Sequence, residues 1–213
     1  MPEPALPDRP VVAIVPIGSL EGAKSRLGAV LDAEERLELT LRLARTTIAA
    51  VVASDRIDET LVVTPDDEVR RLAETLGARP LRQRDGGLNR GVDAGRAEAL
   101  AAGAAAVLIL PIDLPEVSTA AIDTVLATLD HEPRRPLVAI VADRHGRGTN
   151  ALLLAPPDAI DTCFGGDSHA AHARAAVDAG ATLVELGGPL ALDLDTPDDL
   201  LLAEASLRTA DVH

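Results

Sequence analysis

From Val11 to the end of the chain, short runs of β-branched and other apolar residues alternate with longer stretches patterned at three- and four-residue steps. Strands that alternate with helices rejoin one sheet through crossovers, so the pattern predicts an α/β fold, a mixed sheet with helices on both faces. No linker, repeat or low-complexity insert interrupts it. The expected layout is a single domain over residues 11–208, with a flexible segment at 1–10 and a C-terminal tail at 209–213.

The first strand is expected from Val11 to Ile17. A helix follows from about Ala33, opened by a capping box of Asp32 and Glu35, with Leu37, Leu41, Ala44, Ile48 and Val51 on its apolar face. Next come a strand at Thr60 to Val63, a helix opened by Thr64, Pro65 and Asp67 and ended at Gly77, a short strand near Pro80 to Gln83, and a helix from Asn89 to Ala102. Ala106 to Pro111 reads as a central strand and Ser118 as the cap of another helix. Strands at Leu137 to Ala142 and Thr149 to Leu154 flank a polar loop, Asp143 to Gly148. Ser168 is expected to cap a helix reaching Ala179, Thr182 to Leu186 and Leu190 to Asp193 read as late strands, and Thr196 with Pro197 starts the last helix.

Composition narrows the ligand. The 213 residues hold 20 Lys+Arg against 34 Asp+Glu, a formal net charge of -14. Counterion release needs a basic face that such a chain lacks, which argues against a nonspecific nucleic-acid or acidic-membrane binder. One Phe and no Trp or Tyr leave no platform for stacking bases. A small, polar, anionic ligand fits better. Cys163 is the only cysteine, so no intrachain disulfide can form and a reducing compartment is expected. The first ten residues, with Pro2, Pro4, Pro7 and Pro10 beside Glu3 and Asp8, are wrong for a secretion signal. The longest apolar stretch, Leu100 to Ile112, is broken by Gly103 and Pro111 and falls short of the roughly 20 residues of a membrane span. A cytoplasmic protein without nucleic-acid or membrane partners is the expectation.

Ligands of open α/β sheets sit beyond the carboxyl ends of the strands, and the unusual residues fall in those loops. After the first strand, Gly18-Ser-Leu-Glu-Gly-Ala-Lys-Ser25 comes close to a Walker A loop, but Ala23 stands where its second glycine would be, and Gly28 interrupts the run into a helix. What remains is a turn opened by Gly18 that can lay amides on phosphates, with Lys24 and Arg26 as charges for a phosphoryl transition state. An ordinary loop with two solvated bases is the alternative. Asp113 projects from the end of a buried apolar strand, which is costly unless a cation meets it or it faces water as a cap. In Leu192-Asp-Leu-Asp-Thr-Pro197, Asp193 and Asp195 alternate with leucines and are expected to share one side of a strand, while Thr196 and Asp199 can cap the helix without them. Asp113, Asp193 and Asp195 therefore suit Mg2+, which takes a few carboxylates plus substrate phosphates.

Three further segments carry polar chemistry. Asp143-Arg-His-Gly-Arg-Gly-Thr-Asn150 mixes arginines and glycines suited either to holding an oxyanion with backbone and guanidinium donors or to a simple turn. In Phe164-Gly-Gly-Asp-Ser168, Gly165 permits close approach, and the Ser168 hydroxyl with the helix N-terminus faces an anion or merely caps the helix. Cys163, His169 and His172 match no common zinc module and lack a fourth ligand, and nothing identifies a base for Cys163 as a nucleophile.

In order, Ala23-Lys-Ser-Arg-Leu27, Gly87-Leu-Asn89, Leu110-Pro-Ile-Asp-Leu-Pro115, Gly148-Thr-Asn150, Phe164-Gly-x-x-Ser168 and Leu192-Asp-Leu-Asp-Thr-Pro197 resemble the 2-phospho-L-lactate and phosphoenolpyruvate guanylyltransferases of deazaflavin coenzyme (factor 420) biosynthesis. The resemblance covers about Val11 to Leu202 and implies a nucleotidyltransferase fold, GT-A-like and Rossmann-like. It implies an enzyme that joins GMP from GTP to a small phosphorylated three-carbon acid, releases pyrophosphate and hands its product to the next transferase. By the same resemblance Thr149, Gly165 and Ser168 bind phosphoenolpyruvate, Asp113, Asp193 and Asp195 hold the metal, and Lys24, Gly87, Leu88 and Asn89 hold the nucleotide, to which the first-loop reading adds Gly18. Arg147 departs from the family, whose members often carry a smaller residue there. The arginine- and alanine-rich, lysine-poor usage suggests a coding sequence rich in G and C and tilts the acceptor toward phosphoenolpyruvate over 2-phospho-L-lactate or 3-phosphoglycerate. The competing classes are a P-loop-like NTPase, a nucleotide-binding module without turnover, and a sugar-phosphate nucleotidyltransferase or GT-A glycosyltransferase.

Overall fold

The computed structural model describes residues 10–83, 87–131 and 136–210, with side chains up to 203. Of the expected flexible segment only Pro10 lies within them, and Asp85, Gly86 and the tail from 211 lie outside. Within these residues seven strands, β1 (Val11–Pro16), β2 (Glu59–Thr64), β3 (Arg79–Arg82), β4 (Ala106–Ile109), β5 (Leu137–Ala142), β6 (Thr149–Ala155) and β7 (Thr182–Leu186), form one sheet in the order β3-β2-β1-β4-β6-β5-β7. Among the described residues five helices lie between strands, α1 (Ala33–Val52), α2 (Asp67–Thr75), α3 (Gly87–Ala101), α4 (Thr119–Leu126) and α5 (Ser168–Asp178), and a sixth, α6 (Pro197–Ala210), follows β7.

Alternation along each strand builds two cores. Ala13 and Val15 of β1 face one layer with Ala44 and Ile48 of α1, Val69 of α2 and Ile122 of α4. Val12 and Ile14 face the other, with Val92 and Ala99 of α3 and Ala176 of α5. Successive side chains of a strand point to opposite faces, and residues buried on both faces read as near-continuous apolar runs. Helix α3 lies so close to β1 that a Cβ on Gly95 would stand 2.7 Å from the Ile14 side chain.

Direction places the loops. β1 pairs in parallel with β2 and β4, and β5 with β7, whereas β6 runs antiparallel to both β4 and β5. The start of β6 therefore shares an edge with the carboxyl ends of the other strands. The chain steps outward from β1 to β2 and β3, then resumes beyond β1 at β4, so the sheet switches direction of winding between β1 and β4. Ligand crevices form at such a switch point.

Local expectations met exceptions. The capping box is present, with Asp32 accepting from Glu34 and Glu35 amides and Glu35 accepting from the Asp32 amide. The α1 face is rotated at its start: Leu37 is exposed, while Leu39 and Leu43 are buried with Leu27 and Leu194 in a third small cluster. The contacts of a neighbouring loop, not the main core, orient that turn. Leu190 to Asp193 is no strand: Pro189–Ala191 is a 3-10 turn, and the Leu190 carbonyl accepts from the Asn150 side chain. Ser168 begins α5 rather than capping it, and Asp167 occupies the cap position without a side-chain bond. Lys24 is followed by a 3-10 turn, Ser25–Leu27, and not by a long helix, which removes the P-loop reading. No helix among the described residues is long and apolar enough to cross a membrane.

Candidate active site

At the carboxyl edge a cleft of about 440 Å³ gathers residues from six segments, among them Arg26, Leu88, Asp113, Thr149, Gly165 and Asp195. An adjoining hollow of about 300 Å³ is lined by Lys24, Ser25, Arg26 and Asp195. Of the residues singled out in the sequence, Arg26, Leu88, Asp113, Thr149, Gly165, Ser168, Asp193 and Asp195 line the cleft and Lys24 its neighbour. Gly18, Gly87 and Asn89 line neither.

One end of the cleft is ionic. The Lys24 ammonium donates to Asp195 at 3.0 Å and to Asp113 at 3.5 Å, and Arg26 reaches Asp195 at 3.3 Å. Lys24 is only 10% exposed at its side chain, Arg26 73%. Lys24 is also the one non-glycine residue of the described chain with positive φ, 52°. A left-handed lysine is uncommon and persists only where its surroundings hold it, here two carboxylates. The Leu194 amide donates to the Asp113 carbonyl at 2.8 Å, which stitches the loop after β4 to the segment before α6. Burial first, and then the charges of Asp113, Asp195 and Asp199, push the Asp193 carboxyl above the usual range.

The segment ahead of α6 is held by Asp199. Its carboxylate accepts from the amides of Thr196 at 2.7 Å and Asp195 at 3.1 Å and pairs with Arg144. Burial works to raise this carboxyl, but the Thr196 hydroxyl and the amides, with the Arg144 charge, hold it below the usual range. The sequence marked Asp199 only as a helix cap; its hold on Arg144 across the cleft has no local signal.

The β5–β6 loop takes the simple-turn form, one of the two its sequence allows. Asp143 accepts from the amides of Arg147 and Gly148 at 2.8 Å and of His145 at 3.0 Å. Those amides are thus spent on the loop's own turn. Gly148 is needed for it, since a Cβ there would meet Asp143 at 2.8 Å. Burial would raise the Asp143 carboxyl, yet these amides hold it below the usual range.

The opposite end is small and polar. Thr149 and Ser168 are buried yet line the cleft, and Gly165, at φ +157°, is open around its Cα. Asn89 ties α3 to this loop: its amide donates to the Phe164 carbonyl at 3.0 Å and accepts from the Phe164 amide at 2.7 Å. His172, fully buried, bonds to Thr149 and the Cys163 amide, whereas His169 bonds to Gly146 and Glu185. The two histidines and Cys163 therefore do not converge on an ion. No group of three His, Cys, Asp or Glu among the described residues could hold one by itself. Asp113, Asp193 and Asp195 line one cleft, and Lys24 bridges two of them. Mg2+ needs only one or two carboxylates when phosphates supply the rest, so this acidic set fits it.

Comparison with known proteins identifies the family and the fold. A family model described as guanylyl transferase CofC like matches residues 11–208. A phosphoenolpyruvate guanylyltransferase of Rubrobacter xylanophilus is 44% identical over 197 residues, 92% of this chain and 94% of that protein. One from Sphaerobacter thermophilus is 44% identical over 190 residues, covering 89% and 90%. A 3-phospho-D-glycerate guanylyltransferase of Colwellia psychrerythraea is 31% identical over 191 residues, covering 89% of each. Among solved structures, a CMP:2-keto-3-deoxy-manno-octonic acid synthetase complexed with CTP aligns at TM-score 0.62 with 14% identity, covering 94% of this chain and 99% of the other. A 4-diphosphocytidyl-2C-methyl-D-erythritol synthase of Anaerococcus prevotii gives 0.64 with 12% identity over 94% and 99%. The likeness of these structures establishes a nucleotidyltransferase fold. With its family match from 11 to 208 and relatives at 44% identity, this chain belongs to the CofC-like guanylyl transferase family.

Proposed function

We propose that this guanylyl transferase moves GMP from GTP onto the phosphate of phosphoenolpyruvate, with pyrophosphate as the second product, in deazaflavin coenzyme (factor 420) biosynthesis in the cytoplasm. The observation that carries the reading is one cleft lined by two unlike sets of residues. Arg26 and three aspartates share it with the small polar set Thr149, Gly165 and Ser168, and Lys24 lines the adjoining hollow. The nucleotide's phosphates belong at the ionic end and the acid's carboxylate at the polar one. The Rubrobacter and Sphaerobacter relatives, both phosphoenolpyruvate guanylyltransferases, favour phosphoenolpyruvate as the acceptor.

The chemistry needs no dedicated base. A phosphate monoester with a second pKa near 6 is already largely dianionic at neutral pH. One of its oxygens forms a bond to the α-phosphorus while the bond from that phosphorus to the α–β bridging oxygen breaks, and the electron pair leaves on pyrophosphate. The protein's contribution is in-line positioning and neutralisation of charge. Lys24 and Arg26 stabilise charge as it develops on the phosphoryl oxygens, and Asp195 and Asp113 hold the Lys24 ammonium in place. Asp113, Asp193 and Asp195 would hold Mg2+ together with the triphosphate, and the ion would supply Lewis-acid neutralisation of the phosphate oxygens.

The test is incubation with GTP and Mg2+ while phosphoenolpyruvate, 2-phospho-L-lactate and 3-phospho-D-glycerate are offered in turn. Pyrophosphate release and product mass are followed. Release with phosphoenolpyruvate foremost, and a product of GMP joined to the acid, is expected. Silence with all three would refute the reading.

A further inference from the structure

We propose that His172 is a positioning residue for the acid end of the cleft, fixing the hydroxyl of Thr149 as a donor toward the bound anion and anchoring the loop that carries Gly165. The inference rests on the proposed function, in which Thr149 meets the acid.

Hydrogen-bond accounting carries it. The Nε2 atom of His172 takes the backbone N–H of Cys163 at 3.0 Å, and its Nδ1 atom lies 3.0 Å from the Thr149 hydroxyl. A main-chain N–H can only donate, so Nε2 is the acceptor, and a neutral imidazole must then carry its proton on Nδ1. Nδ1–H donates to Thr149, whose oxygen is the acceptor in that bond. The threonine's own proton is left free to point elsewhere, and Thr149 lines the cleft. Were the tautomer reversed, Thr149 would spend its proton on the ring and turn lone pairs toward the acid's carboxylate.

The ring is locked in this role. His172 is fully buried, and the Phe164 ring meets it edge to face at 5.1 Å. Burial first, with the charges of Arg96 and His169 second, pushes its pKa down to about 4, so it stays neutral at physiological pH. Phe164 is held from the other side by Asn89, so the loop leading into Gly165 is gripped by α3 and α5 together. Asn89 and His172 thus act on the acid end through other residues, without lining the cleft themselves.

The test combines spectroscopy on the unaltered protein with two variants. In 15N-histidine NMR of the full chain at neutral pH, His172 is expected as the Nδ1–H tautomer; the Nε2–H tautomer overturns the proposal, even if no variant folds. His172→Gln keeps an acceptor near the Nε2 position and loses the donor to Thr149. It is expected to raise KM for phosphoenolpyruvate about tenfold, the factor for one oriented bond to an anion, while KM for GTP stays at the parent value. His172→Asn keeps a donor near the Nδ1 position and should remain closer to the parent. Thr149→Val should raise the same KM, and His172→Gln added to it should change nothing further. Additive losses, or a parental KM in His172→Gln beside a raised one in Thr149→Val, overturn the positioning role alone. An unchanged KM in Thr149→Val, or no pyrophosphate release with any acid, instead removes the functional reading and the inference with it.

Discussion

Lys24 is a lysine in a conformation that favours glycine, held there by Asp113 and Asp195. A compact ammonium on a flexible stem can sit between two carboxylates and still turn to a phosphate, whereas the planar fork of arginine demands a bidentate partner in one plane. Lys24→Arg is therefore expected to lower kcat by about 100-fold, on the scale of losing one preorganised charge donor, with Tm almost unchanged. Steady-state pyrophosphate release and thermal unfolding check both halves; parental kinetics would leave Lys24 as no more than a structural ion-pair partner of Asp113 and Asp195. Asp113→Ala and Asp195→Ala are likewise expected to abolish turnover while preserving the fold, and a wild-type-like rate at low Mg2+ in either would sink the metal assignment. At this scale the sequence was a fair guide to residue type but not to pairing. It placed Lys24, Asp113 and Asp195 in loops at one sheet edge, yet these residues lie 89 and 171 positions apart, and only the fold brings them into contact. The link between Thr149 and His172, 23 residues apart, was equally out of reach of local spacing.

Among elements, those set by their own residues matched expectation best. The capping box fixed the start of α1, and continuous apolar runs fixed β1, β4 and β5. Leu190 to Asp193 misled because its apolar and acidic residues alternate for a reason other than sheet pairing: Leu192 and Leu194 pack on the cluster around Leu27, and Asp193 and Asp195 are left toward the cleft. The alternation predicted the facing correctly and the strand wrongly. Two element-level predictions follow from close contacts. Gly95→Ala raises helix propensity in α3 but drives a methyl into Ile14, so it should destabilise the fold by about 1–3 kcal/mol by denaturant unfolding. For the β5–β6 loop, the folded pKa of Asp143 lies below its ordinary 3.8, so its contribution is complete above that value and is lost as pH falls through the folded pKa. Asp143→Asn should accordingly be less stable than the parent at pH 7, with the gap narrowing in acid below 3.8. A gap independent of pH would mean that shape, not charge, holds the loop.

For the molecule as a whole, the alternation of strands and helices made the α/β class legible, but not the strand order, because order depends on which strand each crossover returns beside. The net charge of -14 poses a further question at this scale, since both proposed substrates are anions. The global field repels them, so binding relies on the few cations placed at the sheet edge. Lowering the pH relieves the same self-repulsion, and on charge alone stability should hold or rise until the carboxylates of native ion pairs titrate. His172 works the other way. Its pKa is about 4 in the fold against 6.5 for the ordinary side chain, so between those values the unfolded chain binds the extra proton and the native one does not. Stability must then fall as pH drops from 6.5 toward 4, by an amount on the order of 2–3 kcal/mol if His172 acts alone. Calorimetry across that window is expected to show Tm declining by about 5 °C or more in the parent, and a much flatter profile in His172→Gln, which has no ring to protonate. Equal declines in both proteins would assign the loss to groups other than this buried imidazole.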